Sequence, residues 1–215
     1  SAGATANATN ITSFTADSST SNSGTANLTT KVGGGTIDIG KSTTGAYSLT
    51  GLSGNDTLKG NGNADIINGG GGDDTIDGRG GNDEINAGAG DDIITVSSAG
   101  QGNGDTIDGG SGTDTLSLSS GSHAFATDAK LQNINSITLA STSTVIDLTG
   151  QTESLTITGG AQADTITAGS GDDIINGAGG ADIIKGAGGI DTISLGSSDS
   201  ASDIIIFDAS SGMDI

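Results

Sequence analysis

Aspartates recur along this chain at intervals of nine residues, and their carboxylates carry the chemistry that the sequence offers. One series keeps this interval from Asp56 to Asp92, is displaced by four inserted residues, and then resumes as far as Asp114. A second series begins at Asp164. Carboxylate and carbonyl oxygens, six to eight of them at about 2.3–2.6 Å, form the ligand shell that Ca²⁺ prefers. The predicted side-chain metal ligands are Asp56, Asp65, Asp74, Asp83, Asp92, Asp105, Asp114, Asp164, Asp173, Asp182, Asp191 and Asp203.

Glycines in front of each aspartate predict tight turns that bring backbone carbonyls to the same ion. In the cleanest copy, GGGGDDTID at residues 69–77, glycine fills the first four places, Asp74 the sixth and Ile76 the eighth. Glycine adopts the positive φ of such turns and lets the backbone approach a ligand that a Cβ would keep away. The predicted carbonyl ligands are those of Gly69, Gly71, Asp73, Gly78, Gly80, Asn82, Gly169, Gly171, Gly177 and Gly179.

Other kinds of site find little support among the residue types. The chain has no cysteine and one histidine, His123, so soft and borderline metals lack ligands. We expect His123 to be an exposed loop residue, because no nucleophile or metalloprotease motif surrounds it. Adjacent acids such as Asp73 and Asp74 recur with the turns, whereas an active site occurs once. The sequence therefore predicts a protein that is not an enzyme.

The residues that follow each aspartate predict a short strand with one buried face, because the pattern Asp-x-apolar-x alternates with a period of two. Two nonapeptides would complete one turn of a coil, so the stacking neighbour of each turn lies eighteen residues away. We therefore predict an all-β parallel solenoid with little or no helix, in which only segment 124–135 could form a short one. About five or more calcium ions would bind between paired turns. The regular pairs are Asp56 with Asp74, Asp65 with Asp83, Asp74 with Asp92, Asp164 with Asp182, and Asp173 with Asp191.

The interval of nine persists where the aspartate motif is absent, since Ile137, Ile146 and Leu155 are also nine residues apart. We therefore expect one coil in which calcium-binding and calcium-free turns follow one another. The predicted segments are a Ser/Thr/Asn-rich extended segment or linker at 1–27, calcium-free strands at 28–50, a first calcium block at 51–117, a calcium-free insert at 118–158, and a second calcium block at 159–215 that continues past the end of this sequence.

On these nonapeptides, over roughly residues 51–117 and 159–194, the chain resembles the RTX (repeats-in-toxin, hemolysin-type) family of calcium-binding β-rolls. The resemblance implies a right-handed parallel β-roll with Ca²⁺ in both rows of turns. It also implies export in a largely unfolded state by a type I secretion system, and so a secreted protein. The copies at 60–68, 100–108 and 159–167 depart from the pattern, because each lacks glycine at one or two expected places.

Charge and composition exclude several classes of partner. Acidic residues number 26 and basic residues 6, which gives a formal net charge of −20. This sign is wrong for binding nucleic acid, and no apolar stretch reaches the length of a membrane span. Each Ca²⁺ would cancel two charges and relieve the repulsion within a compact fold. Aromatic residues make up only 2% of the chain, so an ordinary globular core is not expected.

Three functions from different classes are consistent with the sequence. The first, which we favour, is a structural protein of the bacterial cell exterior, such as a surface-layer or extracellular filament or matrix subunit. It would fold on binding extracellular calcium and assemble with copies of itself. The second is the calcium-triggered folding module of a secreted RTX enzyme or toxin. The third is an adhesin, although the few aromatic residues are too dispersed to form a binding face.

Overall fold

The computed structural model describes residues 6–17, 20, 25–97, 104–125, 127–196 and 201–207. Its regular structure consists of short parallel strands arranged in three sheets. The only helix among the described residues is a three-residue 3-10 helix, Asp128–Lys130, within the segment where the sequence allowed one. In the described part of the chain we find no helix long and apolar enough to cross a membrane. The predicted all-β parallel solenoid is therefore confirmed.

One sheet, the long sheet, extends through most of the chain. Its strands are β2 (Ser13–Thr15), β4 (Thr36–Asp38), β6 (Thr57–Lys59), β8 (Thr75–Asp77), β10 (Ile93–Val96), β12 (Thr115–Leu118), β15 (Ser136–Leu139), β17 (Thr156–Thr158), β19 (Ile174–Asn176) and β21 (Thr192–Ser194).

Two shorter sheets complete the coil. The N-terminal sheet contains β1 (Ala6–Ile11), β3 (Thr25–Thr30), β5 (Ala46–Thr50), β7 (Ile66–Gly71), β9 (Glu84–Ala89), β11 (Thr106–Ser111) and β14 (Leu131–Gln132). The C-terminal sheet contains β13 (Gly121–Ala124), β16 (Thr144–Asp147), β18 (Thr165–Thr167), β20 (Ile183–Lys185) and β22 (Ile204–Ile205).

Successive turns of the coil stack in the predicted step of eighteen residues. In the long sheet Thr57 pairs with Thr75, and in the N-terminal sheet Ile67 pairs with Ile85. Inserted residues lengthen the step in places, so that Ile85 pairs with Ile107. The register nevertheless survives, because each insertion lies between strands and leaves the alternation within the strands unchanged.

The apolar residue at the eighth place of each nonapeptide forms a continuous buried ladder between the sheets. Its side chains are excluded from solvent both in the calcium blocks and in the insert that lacks the motif. Stacking keeps this ladder dry although each turn contributes only one or two large side chains. Representative members are Leu58, Ile67, Ile76, Ile85, Ile94, Ile107, Leu116, Ile137, Ile146, Ile157, Ile166, Ile175 and Ile184.

Two neighbouring isoleucines of β7 allow this ladder to be tested. Ile67 is 1% exposed, whereas Ile66 points outward and is 52% exposed. We expect Ile67→Ala to lower the free energy of unfolding of the calcium-saturated chain by about 2–5 kcal/mol, the usual cost of a cavity in a packed core. Ile66→Ala, the matched control, should cost less than about 1 kcal/mol. Denaturant unfolding at one fixed calcium concentration measures both, and equal losses would contradict the assigned faces.

The face opposite the long sheet changes from the N-terminal to the C-terminal sheet between residues 118 and 136. After β12 the chain first forms β13 of the C-terminal sheet, then the 3-10 helix, and then β14, the last strand of the N-terminal sheet, before it returns to the long sheet at β15. The coil that we predicted as uninterrupted is therefore continuous through the long sheet, while its other face is divided.

This junction turn buries His123, which the sequence led us to expect on an exposed loop. The side chain of His123 is fully buried beside Phe125, and its Nε2 lies 2.9 Å from the carbonyl oxygen of Ser119. Burial lowers the pKa of the imidazole. The expectation was wrong because β13 pairs with β16 and so places His123 opposite Ile146, on the inner face of the C-terminal sheet.

Residues that we expected as an extended segment or linker carry two strands of the coil. Strand β1 pairs in parallel with β3, and β2 pairs with β4, in which Phe14 lies opposite Ile37. The Ser/Thr/Asn-rich composition concealed these strands, since their inward face carries few large side chains. Of the predicted segment 1–27, residues 1–5, 18–19 and 21–24 lie outside the described residues.

Candidate metal centre

The recurring aspartates lie in turns that immediately precede strands, and these turns form two rows along the coil. The first row precedes the strands of the long sheet, and the second precedes those of the N-terminal and C-terminal sheets. All these carboxylates are buried except that of Asp203, which is partly exposed. The first row contains Asp56, Asp74, Asp92, Asp114, Asp173 and Asp191, and the second contains Asp65, Asp83, Asp105, Asp164, Asp182 and Asp203.

Within each row, the carboxylates and the backbone form a hydrogen-bonded ladder. The backbone N–H of each aspartate donates to Oδ1 of the aspartate in the next turn, as Asp56 does to Asp74 at 2.7 Å. The predicted neighbours are therefore adjacent, and the irregular steps contribute further pairs. The remaining contacts join Asp74 to Asp92, Asp92 to Asp114, Asp65 to Asp83, Asp83 to Asp105, Asp164 to Asp182, Asp182 to Asp203, and Asp173 to Asp191.

The second carboxylate oxygen has no such partner at several of these residues. It is a buried oxygen without a hydrogen bond in Asp74, Asp83, Asp92, Asp114 and Asp173. A buried charged oxygen left without a partner is costly, so these atoms favour a bound cation. Hard oxygen donors of this kind suit calcium, and the donor chemistry of the turns therefore fits that ion.

Carbonyl oxygens of the following turn face the second carboxylate oxygen, which is free in Asp74 and Asp114 and accepts a backbone N–H in Asp56, Asp65 and Asp164. A Cβ placed on Gly60 would lie 2.7 Å from Oδ2 of Asp65 and 2.5 Å from the carbonyl oxygen of Gly78, so both oxygens border one small space. Gly51 is placed in the same way between Asp56 and the carbonyl of Gly69. Three more turns follow this arrangement, in which the carbonyls of Ala87, Gly177 and Asn133 face Asp74, Asp164 and Asp114.

The predicted carbonyl ligands are thus placed unequally. Those of Gly69, Gly78 and Gly177 face carboxylates, whereas the Gly169 carbonyl accepts a hydrogen bond from the N–H of Gly188 at 3.0 Å. The others lie in the same turns and remain predictions as ligands; they are Gly71, Asp73, Gly80, Asn82, Gly171 and Gly179. Among the described residues, no three acidic, histidine or cysteine side chains form a metal-binding group, so backbone oxygens would have to complete each shell.

Glycine is favoured at the second and fourth places of the turn for a different reason from that at the first, although Arg79, Ala178 and Ala187 also take a positive φ at the second place. Gly70 and Gly72 adopt φ values of 105° and 109°, which disfavour a side chain. Gly69, at the first place, does not have a positive φ. Its lack of a side chain instead lets the Ala87 carbonyl and the Asp74 carboxylate approach each other closely. Ala87 and Ala168 occupy that first place in two other turns, so a methyl group is tolerated there.

The pKa values of these buried carboxylates are raised. Burial is the main cause, and neighbouring carboxylates add to it at Asp74, Asp83 and Asp173, while hydrogen bonds from the backbone act in the opposite direction. The pKa of Asp83 rises to about 8. Those of Asp65, Asp74, Asp105 and Asp173 rise to about 6. Without a cation, the rows are therefore electrostatically unfavourable at neutral pH.

Two residues that sequence reasoning missed end the rows of the first block. In the first row, Oδ1 of Asn135 accepts a hydrogen bond from the N–H of Asp114 at 2.7 Å, as an aspartate would. In the second row, Nζ of Lys130 donates to the carbonyl oxygen of Gly104 at 2.9 Å, and its charge lowers the pKa of Asp105 against the effect of burial. Neither residue could be found from the motif, because both lie in turns without the aspartate interval.

An arginine connects the first block to the calcium-free turns before it. Nη1 of Arg79 donates to Oδ1 of Asp38 at 2.9 Å and to the carbonyl oxygen of Gly60 at 3.1 Å. Asp38 and Arg79 are 41 residues apart, so this contact spans more than one step of the coil. The ion pair is partly exposed, and its contribution to stability is accordingly modest.

Comparison with known families gives a match over most of these turns. The profile of the RTX calcium-binding nonapeptide repeat matches the chain in four copies, at residues 43–76, 69–98, 97–122 and 156–199, which together span more than half of it. A search of curated proteins found no match. The four copies contain eleven of the twelve predicted aspartates, and Asp203 lies outside them.

Proposed function

The chain belongs to the RTX calcium-binding nonapeptide-repeat family, and from this we propose that it is a calcium-binding structural protein of the bacterial cell exterior. It would fold on binding extracellular calcium and assemble with copies of itself, as a surface-layer or filament subunit, without catalytic activity. The observation that carries the calcium part is the ladder of buried aspartates, in which second oxygens without a hydrogen bond, those of Asp74 and Asp114, face carbonyls of the next turn.

In this proposal each ion binds between successive turns of a row. Oδ2 of the first aspartate and the first-place carbonyl of the following turn supply ligands, while Oδ1 is held in place by its backbone hydrogen bond. Asp74 with the Ala87 carbonyl is one such pair, and Asp65 with the Gly78 carbonyl is another. The positive charge of the ion would offset the electrostatic cost of burying these carboxylates.

Calcium would therefore couple folding to location. At low cytosolic calcium the net charge of −20 and the buried carboxylates oppose the coil, and an unfolded chain suits export by a type I secretion system. Outside the cell, calcium binds the folded state alone and shifts the equilibrium toward it. We therefore propose a secreted protein located at the cell surface.

Two features of the coil outside its calcium turns support the structural role. The ladder of buried apolar residues continues through the insert, so the rod is longer than its calcium sites require. On the outer face of the C-terminal sheet, Val145, Ile183 and Ile204 lie in one row, which Thr165 interrupts between the first two, and all three are exposed. Exposed apolar rows of this kind favour contact with another protein surface.

A folding module of a secreted enzyme or toxin is the second candidate. It is favoured by the strong negative charge, which opposes contact between copies of the chain unless bound calcium neutralises it. In that case the coil would serve a domain encoded elsewhere in the same gene.

Light scattering during a calcium titration tests both candidates. An unfolded chain of this length has a radius of gyration of about 50 Å, against about 17 Å for a compact domain. We expect collapse on adding calcium, followed by growth into large ordered particles. Collapse that stops at a monomer would favour the folding module, and no change in size would overturn calcium-dependent folding. Magnesium at the same concentration is the control, because its smaller shell demands a stricter geometry.

A further inference from the structure

The three-residue turn Asn133–Asn135 closes the first row at the end of the first calcium block. It connects β14 to β15 and lies outside the residues that match the nonapeptide profile. Oδ1 of Asn135 accepts the N–H of Asp114 at 2.7 Å, and Oδ1 of Asp114 accepts the N–H of Asp92 at 3.0 Å. Asn135 thus takes the place of the next aspartate in the ladder.

The same turn also provides a carbonyl where the nonapeptide turns provide one. Asn133 has a left-handed φ of 54°, and its carbonyl oxygen borders the space beside Gly109. A Cβ placed on Gly109 would touch this carbonyl oxygen and would lie 2.8 Å from Oδ2 of Asp114. This oxygen is buried and has no hydrogen-bond partner. Asp114 and Asn133 therefore repeat the carboxylate and carbonyl pair found between nonapeptide turns.

Three contacts hold the turn in this position before any ion binds. The side chain of Ile134 is 4% exposed and packs in the core, and Nδ2 of Asn133 donates to Oδ1 of Asp108 at 2.7 Å. The third contact is that of Asn135 with Asp114. Because these contacts fix the backbone, the Asn133 carbonyl needs little rearrangement to act as a ligand.

We propose that this turn, which is not a nonapeptide, completes a further calcium site with Asp114. The ligands from the chain would be Oδ2 of Asp114 and the carbonyl oxygen of Asn133, with Oδ1 of Asn135 holding the Asp114 backbone. The inference rests on the proposed calcium binding of the rows. Asn135 is neutral, so the site has one carboxylate where a site between two nonapeptides has two nearby. Since calcium affinity falls as the number of charged ligands falls, this site fills after those between two nonapeptides.

A calcium ion here would connect the first block to the insert. Strand β15 begins directly after Asn135, and the N–H groups of Asn135 and Ser136 already donate to the carbonyl oxygen of Asp114. Filling the site would therefore stabilise the turn from which the calcium-free strands continue.

Calcium binding to the full chain, followed by native mass spectrometry and calorimetric titration, tests this site. Asp114→Asn should bind one calcium ion fewer than the unmodified chain. Asn135→Asp should bind the same number, with the ion at this site bound at about tenfold lower free calcium, because a second carboxylate beside the ion strengthens its binding. Asn10→Asp, at an exposed position of β1 among the calcium-free turns, adds the same charge away from both rows and should leave the titration unchanged.

The inference is overturned if Asp114→Asn keeps every ion of the unmodified chain, or if Asn135→Asp shifts the titration no more than Asn10→Asp does. Asn135→Asp decides the matter alone if Asp114→Asn does not fold. If the unmodified chain binds no calcium, the proposed function itself fails. If it binds several ions while Asp114→Asn loses none, only the site at Asn133 fails.

Discussion

Replacing Asp74 with asparagine should remove at least one calcium ion and raise the calcium concentration needed for folding by about tenfold, which corresponds to about 1.4 kcal/mol. Asp74 lies in the middle of the first row. Its Oδ1 accepts the N–H of Asp56, and its buried Oδ2 has no hydrogen bond and faces the Ala87 carbonyl. Asparagine can still accept the hydrogen bond from the N–H of Asp56, so the substitution removes only the negative charge that faces the ion.

The neighbouring Asp73 supplies a matched control. It is exposed, and its Oδ1 accepts the N–H of Asp91 at 3.0 Å, a contact that asparagine can also make. Asp73→Asn therefore changes the net charge by the same amount without altering a buried carboxylate. Calcium stoichiometry and circular dichroism along a calcium titration compare the two variants. Equal effects would mean that total charge, and not the site at Asp74, controls folding.

Acid should stabilise the calcium-free coil. Burial raises the pKa of Asp65, Asp74, Asp105 and Asp173 to about 6 and that of Asp83 to about 8, whereas an unfolded aspartate titrates near 3.9. Between these values the folded chain holds more protons than the unfolded chain, so stability falls as pH rises. Without calcium, we expect β-structure to increase as pH is lowered from 8 to 5.

The same titration should have the opposite effect on calcium binding. Protons and calcium compete for the buried carboxylates, so more calcium should be needed to saturate the coil at pH 5 than at pH 8. Circular dichroism in calcium-free buffer and calorimetric titration at each pH measure the two trends. Asp83→Asn removes a group whose pKa is raised to about 8 and should flatten the pH dependence of the calcium-free chain. Stability that rises with pH in calcium-free buffer would contradict the assigned burial.

The regular parts of this molecule could be predicted because one short period governs several properties together. The aspartate at the sixth place and the apolar residue at the eighth set the turn, the strand and the step of the coil. Ile67 and Ile85 therefore stack as the interval requires. The period also predicted that the calcium-free insert would continue the coil, since Ile146 and Ile157 remain buried there.

The parts that could not be predicted depend on contacts between distant residues. His123 is buried because β13 begins a new sheet, and no local sequence pattern predicts that change of sheet. Asn135 joins the ladder only because β14 brings its turn above Asp114. Lys130 similarly reaches Gly104 across 26 residues. Each is the product of the junction turn, where insertions interrupt the interval and the tertiary arrangement decides which residues meet.

The carboxylate ladder gives the coil a polarity. Every strand pairing in the described sheets is parallel, and every aspartate Oδ1 in a row accepts from the turn before it, so the two ends present different groups. Two copies joined head to tail through their strands would therefore form a heterologous contact, which contains no twofold axis. Such a contact repeats without closing and lengthens into a fibre, whereas a closed dimer would have to join two like ends or the sides of the coil.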